Sequence, residues 1–207
     1  MLQKYARIFG FGSETGIDLP SEDTGVVPDK EWKEDYFKGQ AGNTVWFPGD
    51  SVNMAIGQGD LLVTPLQMAQ AYSILINRGL KYEPHIGMEV RDPDGKNLID
   101  LGDSHSENLV LDNGYMEIIE KGLTQVVASG TASGRFAGFP LKDIPVAGKT
   151  GTAEVIGKQD FGWFVCYAPA DDPQYLIVVM LEQAGGGSSS AAPVAKKILE
   201  YLFELNK

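Results

Sequence analysis

Apolar residues recur at helical spacing in four places along the chain and in strand-like runs in five. Residues 1–9 read as the end of a helix, broken by Phe9-Gly10-Phe11-Gly12. Thr64-Pro65-Leu66-Gln67 is a strong helix start: Thr64 can cap, Pro65 fits the first helical position and Gln67 can reach back in a capping box. Leu66, Ala69, Tyr72, Ser73 and Ile76 then share one face, and Asn77-Arg78-Gly79 ends the helix. Asp112 can cap a second helix over 113–128, with Ile118 or Ile119, Leu123, Val126 and Val127 as its buried stripe. A last amphipathic helix is predicted over 191–205, burying Val194, Ile198, Tyr201, Leu202 and Leu205.

Two short strands are predicted at 84–91 and 96–101, joined by the turn residues Asp92-Pro93-Asp94-Gly95. Three more follow at 144–155, 161–168 and 174–182, with connections so short that an antiparallel meander is the simplest topology. The expected fold is therefore α/β, an antiparallel sheet flanked by helices. Residues 13–50 show neither period and read as a long ordered loop region, a kind of segment that tends to be functional. The acidic stretch 100–108 reads as a surface loop.

Composition narrows the function classes. The 207 residues suit one domain or slightly more, and 43% apolar with 22% charged residues is ordinary for a globular chain. A net charge of −11 repels phosphate backbones, so no nucleic-acid partner is expected. The single cysteine, Cys166, excludes an internal disulfide and reads as a buried structural thiol; no Cys/His cluster suggests a metal. No apolar run is long enough to span a bilayer, and Met1-Leu2-Gln3-Lys4 leads into no signal peptide, so the chain as written is expected to carry neither signal nor anchor.

The sharpest chemical signal is Lys149-Thr150-Gly151-Thr152, on a predicted strand after Val146-Ala147-Gly148. A cation, two hydroxyls and a residue without a side chain suit an anionic, carbonyl-bearing ligand. Lys149 supplies charge, Thr150 and Thr152 can donate to a carboxylate, Gly151 lets a ligand approach the backbone, and the Thr152 N–H could meet a developing oxyanion. An ordinary strand with exposed Lys and Thr remains the alternative. At roughly 6% usage per residue, the tetrapeptide arises by chance in about one such chain in a few hundred. Strict alternation puts Lys149 on the face opposite Thr150 and Thr152, so all three serve one groove only if the strand twists or lies at a sheet edge.

With its surroundings, this segment resembles the penicillin-binding D,D-transpeptidases, in which Lys-Thr-Gly is the third motif, and closely the class B, penicillin-binding protein 2 type. Phe9-Gly10-Phe11-Gly12 with Thr15-Gly16-Ile17-Asp18-Leu19-Pro20 is similar to the family's segment after its second motif. Ala55-Ile56-Gly57-Gln58-Gly59 with Val63-Thr64-Pro65-Leu66-Gln67-Met68-Ala69 resembles its most recognisable non-catalytic stretch. Gly130-Thr131-Ala132, Ala147–Glu154, Trp163-Phe164 with Tyr167-Ala168-Pro169, and Ala191-Ala192-Pro193 follow in the family's order.

The resemblance implies a serine D,D-transpeptidase/β-lactamase-like fold and a parent enzyme that crosslinks peptidoglycan stem peptides through an acyl-serine at D-Ala–D-Ala. It implies β-lactams as mimics of that substrate and no cofactor. Lys149, Thr150, Gly151 and Thr152 become the substrate-binding residues, with Lys149 and Thr152 in the catalytic set. It also implies a parent anchored in the cytoplasmic membrane with this domain on the extracytoplasmic side.

One departure is large. No serine or threonine is followed by Lys three positions on, so the Ser-x-x-Lys nucleophile motif is missing. Ser51-Val52-Asn53 has the letters of the second motif but follows Thr15–Pro20 instead of preceding it, and reads as loop. The chain is therefore expected to be the C-terminal portion of a transpeptidase domain, incomplete at the N-terminal side. Its partners would then include the missing N-terminal part, and an uncovered apolar patch would favour self-association. A non-catalytic penicillin-recognising sensor and a structural fragment of the same fold remain open, and a serine β-lactamase is a weaker rival.

Other signals carry less. Gly185-Gly186-Gly187-Ser188-Ser189-Ser190 resembles a phosphate loop but lacks its Lys and reads as a flexible strand-to-helix connection. Asp103, Ser104 and His105 are sequence neighbours, which triad members rarely are, and read as a solvated acidic loop. Trp32, Tyr36, Phe37, Trp46 and Phe47 could line a groove or pack a long loop.

Overall fold

The structure is a computed structural model describing residues 1–40, 42–102 and 106–205. The chain divides into two compact units, Met1–Leu109 and Val110–Lys207. Asp103, Ser104 and His105 lie outside the described residues.

The first unit holds helices α1 (Leu2–Ile8), α2 (Lys30–Tyr36), α3 (Pro48–Ala55) and α4 (Pro65–Ile76) with strands β1 (Leu80–Tyr82), β2 (Glu89–Arg91), β3 (Asn97–Asp100) and β4 (Ser106–Asn108). α4 begins with the expected capping box: Gln67 N donates to Thr64 Oγ1 at 3.1 Å and Thr64 N to Gln67 Oε1 at 3.0 Å. Its buried face differs from the apolar one read from sequence. Gln67, Gln70, Ala71, Ile74 and Leu75 are buried, while Leu66, Ala69, Tyr72, Ser73 and Ile76 are half-buried.

Two buried glutamines make sense because an irregular loop has carbonyls with no ladder partner. Gln67 Nε2 donates to Ser13 O at 2.9 Å and Thr24 O at 2.7 Å, and Gln70 Nε2 to Thr15 O at 3.2 Å and Tyr82 O at 3.3 Å.

Residues 13–50 are not all loop, as the sequence suggested. α2 lies within them and α3 begins there, so Ser51-Val52-Asn53 is helical. Helices of seven and eight residues make barely two turns, too few to print a period. Their caps were the available signal: Asp29 Oδ1 accepts from Trp32 N at 2.9 Å, and Asp50 Oδ2 from Phe47 N at 2.7 Å. The Asp92–Gly95 turn joins β2 and β3 as an antiparallel pair, as expected. Residues 84–88, expected as strand, are held instead by Asp18, which accepts from Ile86 N and Gly87 N at 2.7 Å each. β1 pairs with β4, so residues 106–108 of the acidic stretch are strand and not loop.

The second unit is α5 (Asn113–Ala128), a short 3-10 turn at Ser133–Arg135, strands β5 (Ala147–Ala153), β6 (Phe161–Ala168) and β7 (Tyr175–Leu181), and α6 (Ala191–Leu202). Asp112 Oδ1 caps α5 through Gly114 N at 2.9 Å and Tyr115 N at 3.2 Å. The sheet is the expected antiparallel meander, in the order β5-β6-β7. Phe136, Phe164, Cys166, Ile177 and Val179 form its buried core with Ala191, Ala192, Ala195 and Leu199 of α6. Each large side chain removed from water there stabilises by roughly 1.5–3 kcal/mol.

Both helix faces need correction. α5 buries Met116, Leu123 and Val127, while Ile118 is 69% and Ile119 43% exposed. α6 packs through small residues, because alanines let its axis lie close to the sheet. The larger Val194, Ile198, Tyr201 and, just beyond the helix, Leu205 form an outward apolar stripe, 37–79% exposed, and Leu202 is half-buried.

Candidate functional site

Lys149, Thr150, Gly151 and Thr152 lie on β5, facing Val165, Phe164, Trp163 and Gly162 of β6. β5 is an edge strand of the sheet, the placement that lets one strand offer both faces and its backbone to a ligand. Lys149 and Thr152 are exposed, and Thr150 and Gly151 half-buried. The Lys149 side chain turns back along the strand, and its Nζ donates to Thr150 O at 2.7 Å. The cation lies against the backbone of the motif itself.

Two further segments converge on this strand. Thr131, just after α5, brings its Oγ1 to 2.9 Å from Thr150 Oγ1. The connection 185–190 returns over the sheet, with Gly187 N donating to Gly151 O at 3.2 Å and Ser188 Oγ to Thr131 O at 2.6 Å. Gly187 is buried, and a Cβ there would lie 2.0 Å from Trp163 O and 2.3 Å from Gly151 O, so only glycine fits. The connection read as flexible is therefore bonded to the motif strand and to the end of α5. Consecutive glycines between a strand and a helix were the signal for close backbone approach.

The arrangement can recognise an anion. It offers one ammonium, a pair of threonine hydroxyls, a further exposed threonine and an edge backbone. The hydroxyls of Thr131, Thr150, Ser188, Ser189 and Ser190 are bonded to carbonyls or to each other. Ser188 donates to Thr131 O, Ser189 and Ser190 both donate to Gly186 O at 2.9 Å, and Thr150 pairs with another hydroxyl. A nucleophilic serine needs a base as partner.

Other sequence candidates are separate from this site or inert. Cys166 is buried, and burial pushes its thiol up to about 12, which keeps it protonated and unreactive. Ser51 Oγ accepts from Trp46 Nε1 at 3.0 Å. The aromatic residues pack on one another: Trp32 stacks on Tyr36 at 4.9 Å, with Phe37 edge-on to both. Lys33 sits near the Trp46 and Phe47 rings and bonds Asp50 at 2.6 Å. A cleft of about 530 Å³ in the first unit is lined by Gln3, Asp29, Lys30, Glu31, Trp46 and Ser51, and holds none of the motif residues. Among the described residues, no group of three His, Cys, Asp or Glu side chains could hold a metal, and no helix is long and apolar enough to cross a membrane.

Comparison with known proteins gives a consistent result. Residues 1–200 match the family described as penicillin binding protein transpeptidase domain. The peptidoglycan D,D-transpeptidase MrdA of Haemophilus influenzae is 34% identical, over 97% of this chain and 32% of its own length. MrdA of Escherichia coli K12 is also 34% identical, over 85% of this chain and 29% of its own. The crystal structure of Pseudomonas aeruginosa PBP2 in complex with WCK 5153 has a TM-score of 0.80 at 34% identity, covering 97% of this chain and 43% of that one. PBP2 of Helicobacter pylori, in its complex with MreC, has a TM-score of 0.81 at 30% identity, covering 99% and 35%. The chain thus spans about a third of the length of the curated relatives it matches.

Proposed function

Because the chain belongs to the penicillin-binding protein transpeptidase family and has the fold of its PBP2 members, we propose that it is the C-terminal portion of a peptidoglycan D,D-transpeptidase domain of the PBP2 type. In the parent enzyme a serine from the upstream portion attacks the penultimate D-Ala carbonyl of a stem peptide. The terminal D-Ala leaves, and the amine of a second stem displaces the acyl group from the serine. β5 recognises the substrate. Lys149, Thr150 and Thr152 bind the terminal carboxylate of D-Ala–D-Ala, Gly151 keeps the strand open to it, and the Thr152 N–H holds the developing oxyanion. β-Lactams enter as mimics of the same dipeptide. The parent is anchored in the cytoplasmic membrane with this portion outside.

The observation that carries this reading is the edge strand with its Lys149 cation lying along it and two flanking segments bonded to it, through Thr131 to Thr150 and through Gly187 to Gly151. Carboxylate recognition alone amounts to a few hydrogen bonds, each worth about 1 kcal/mol net or somewhat more to a charged group. After the entropy of association, affinity is expected to be millimolar or weaker.

The test is covalent labelling with a fluorescent penicillin. The 207 residues alone are expected to form no stable adduct, and addition of an upstream segment bearing Ser-x-x-Lys, in cis or in trans, is expected to restore labelling. An adduct on any serine of the chain alone, mapped by mass spectrometry, would overturn the assignment. Failure of labelling with the upstream segment present would favour the second reading, a non-catalytic sensor or structural fragment, which the missing motif makes the main rival.

A further inference from the structure

The Thr131–Thr150 contact has a direction to settle, because either hydroxyl could be the donor. A carboxylate only accepts hydrogen bonds. A Thr150 that serves a carboxylate must therefore turn its own proton toward the ligand, and its oxygen must accept from Thr131. That polarity requires Thr131 to be held in place although it is exposed. Its neighbour Ala132 is fully buried and its N–H donates to Val126 O at 3.0 Å, which fixes one side. The Thr131 carbonyl is fixed from the other side by Ser188 Oγ at 2.6 Å, across 57 residues of sequence. Ser188 is itself placed by the buried Gly187, whose N–H donates to Gly151 O of the strand at 3.2 Å.

We propose that Ser188 is a positioning residue for the motif strand, acting through Thr131 to aim the Thr150 hydroxyl at the substrate carboxylate. The proposal rests on the carboxylate-binding role given to β5 above. Ser188 does not touch the ligand. It closes a relay that runs from the Gly-rich connection to the end of α5 and back to β5. Among the three serines of the connection it alone reaches outside its own segment; Ser189 and Ser190 both turn back to Gly186.

The experiment uses the isotopically labelled 207-residue chain. The Thr150 χ1 rotamer is read from three-bond couplings in the wild type, Ser188→Ala and Ser188→Thr. Each is then titrated with N-acetyl-D-alanyl-D-alanine and with its C-terminal amide as the uncharged control. One rotamer is expected in the wild type, averaging in Ser188→Ala and recovery in Ser188→Thr, whose hydroxyl is retained. Affinity for the carboxylate probe should fall about 2- to 10-fold in Ser188→Ala, the worth of one net hydrogen bond. In a Thr150→Val background the same substitution should change nothing further, which a merely structural effect would not reproduce.

An unchanged Thr150 rotamer in Ser188→Ala, or an equal affinity loss in both backgrounds, would overturn the proposal. A responsive rotamer with no probe-induced shift at 149–152 in the wild type would instead overturn the carboxylate-site reading and leave the relay standing as a structural device.

Discussion

Replacing Gly187 by alanine should cost both stability and the geometry of the motif strand. Its backbone has no need of a positive φ, so the penalty is one of space alone. The added Cβ would meet Trp163 O at 2.0 Å and Gly151 O at 2.3 Å, against an ordinary C···O contact of about 3.3 Å. The connection must lift by roughly 1 Å, as that shortfall dictates. Lifting breaks the Gly187 N–H bond to Gly151 O and disturbs Gly187 O, which accepts from Ala191 N and Ala192 N at 3.0 and 2.9 Å at the start of α6. Overpacking costs about 1–3 kcal/mol and the lost bond about 1 kcal/mol. At about 2–4 °C per kcal/mol for a chain of this size, the combined loss should lower the melting temperature by about 4–16 °C. Gly122, inside α5 with nothing within 4 Å of a built Cβ, is the control. Gly122→Ala should stabilise by about 0.5–1 kcal/mol through helix propensity. Thermal unfolding followed by circular dichroism reads both. A Gly187→Ala melting temperature within about 1 °C of wild type would refute the steric reasoning, since that shift is under 1 kcal/mol.

Three further outcomes follow from the same structure. Cys166 should resist a disulfide reagent at pH 8 in the folded chain and react at once in denaturant. With its pKa pushed from 9.0 to about 12 by burial, its contribution to stability is full below 9 and is lost as pH rises from 9 toward 12. Asp18, held low by the Gly87 and Ile86 N–H groups, Asp29, by Trp32 N–H and then Arg7, and Asp50, by Lys33 and then Phe47 N–H, act in the opposite sense. Their stabilisation is present above 3.8 and disappears as pH falls through their lowered values, so melting temperature should drop on acidification below pH 3.8, less steeply in Asp18→Asn. The apolar stripe Val194, Ile198 and Tyr201 should drive concentration-dependent self-association, which sedimentation velocity would detect and Ile198→Glu should weaken.

The parts of the fold legible in the sequence were those where several signals agreed. α4 had Thr64, Pro65 and Gln67 at its start, α5 had Asp112, and β5–β7 had short connections that forced a meander. The faces of α4 and α6 are not legible from apolarity, because apolarity is not the only reason for burial. Gln67 and Gln70 are buried where they satisfy carbonyls of the 13–24 loop and, for Gln70, of Tyr82 at the end of β1, and Ala191, Ala192 and Ala195 are buried for closeness to the sheet. β1 and β4 are three residues each, and Ser106-Glu107-Asn108 has no apolar residue to mark a strand. At the site, the four motif residues stood out by chemistry. Thr131 stands out in the sequence only through the family resemblance, and Ser188 not at all, because a contact across 57 residues leaves no local trace.

In the proposed function, β5 reads the ligand's carboxylate for a serine supplied from upstream. The most direct test is the penicillin acylation rate of the chain joined to a segment bearing Ser-x-x-Lys, compared between wild type, Lys149→Ala and Lys158→Ala. Lys149→Ala should slow acylation about 10- to 100-fold, the worth of one hydrogen bond to a charged group at about 1.5–3 kcal/mol. Lys158, in the exposed turn between β5 and β6, should be replaceable without effect. Wild-type rates in Lys149→Ala would show that β5 does not bind the carboxylate through this cation.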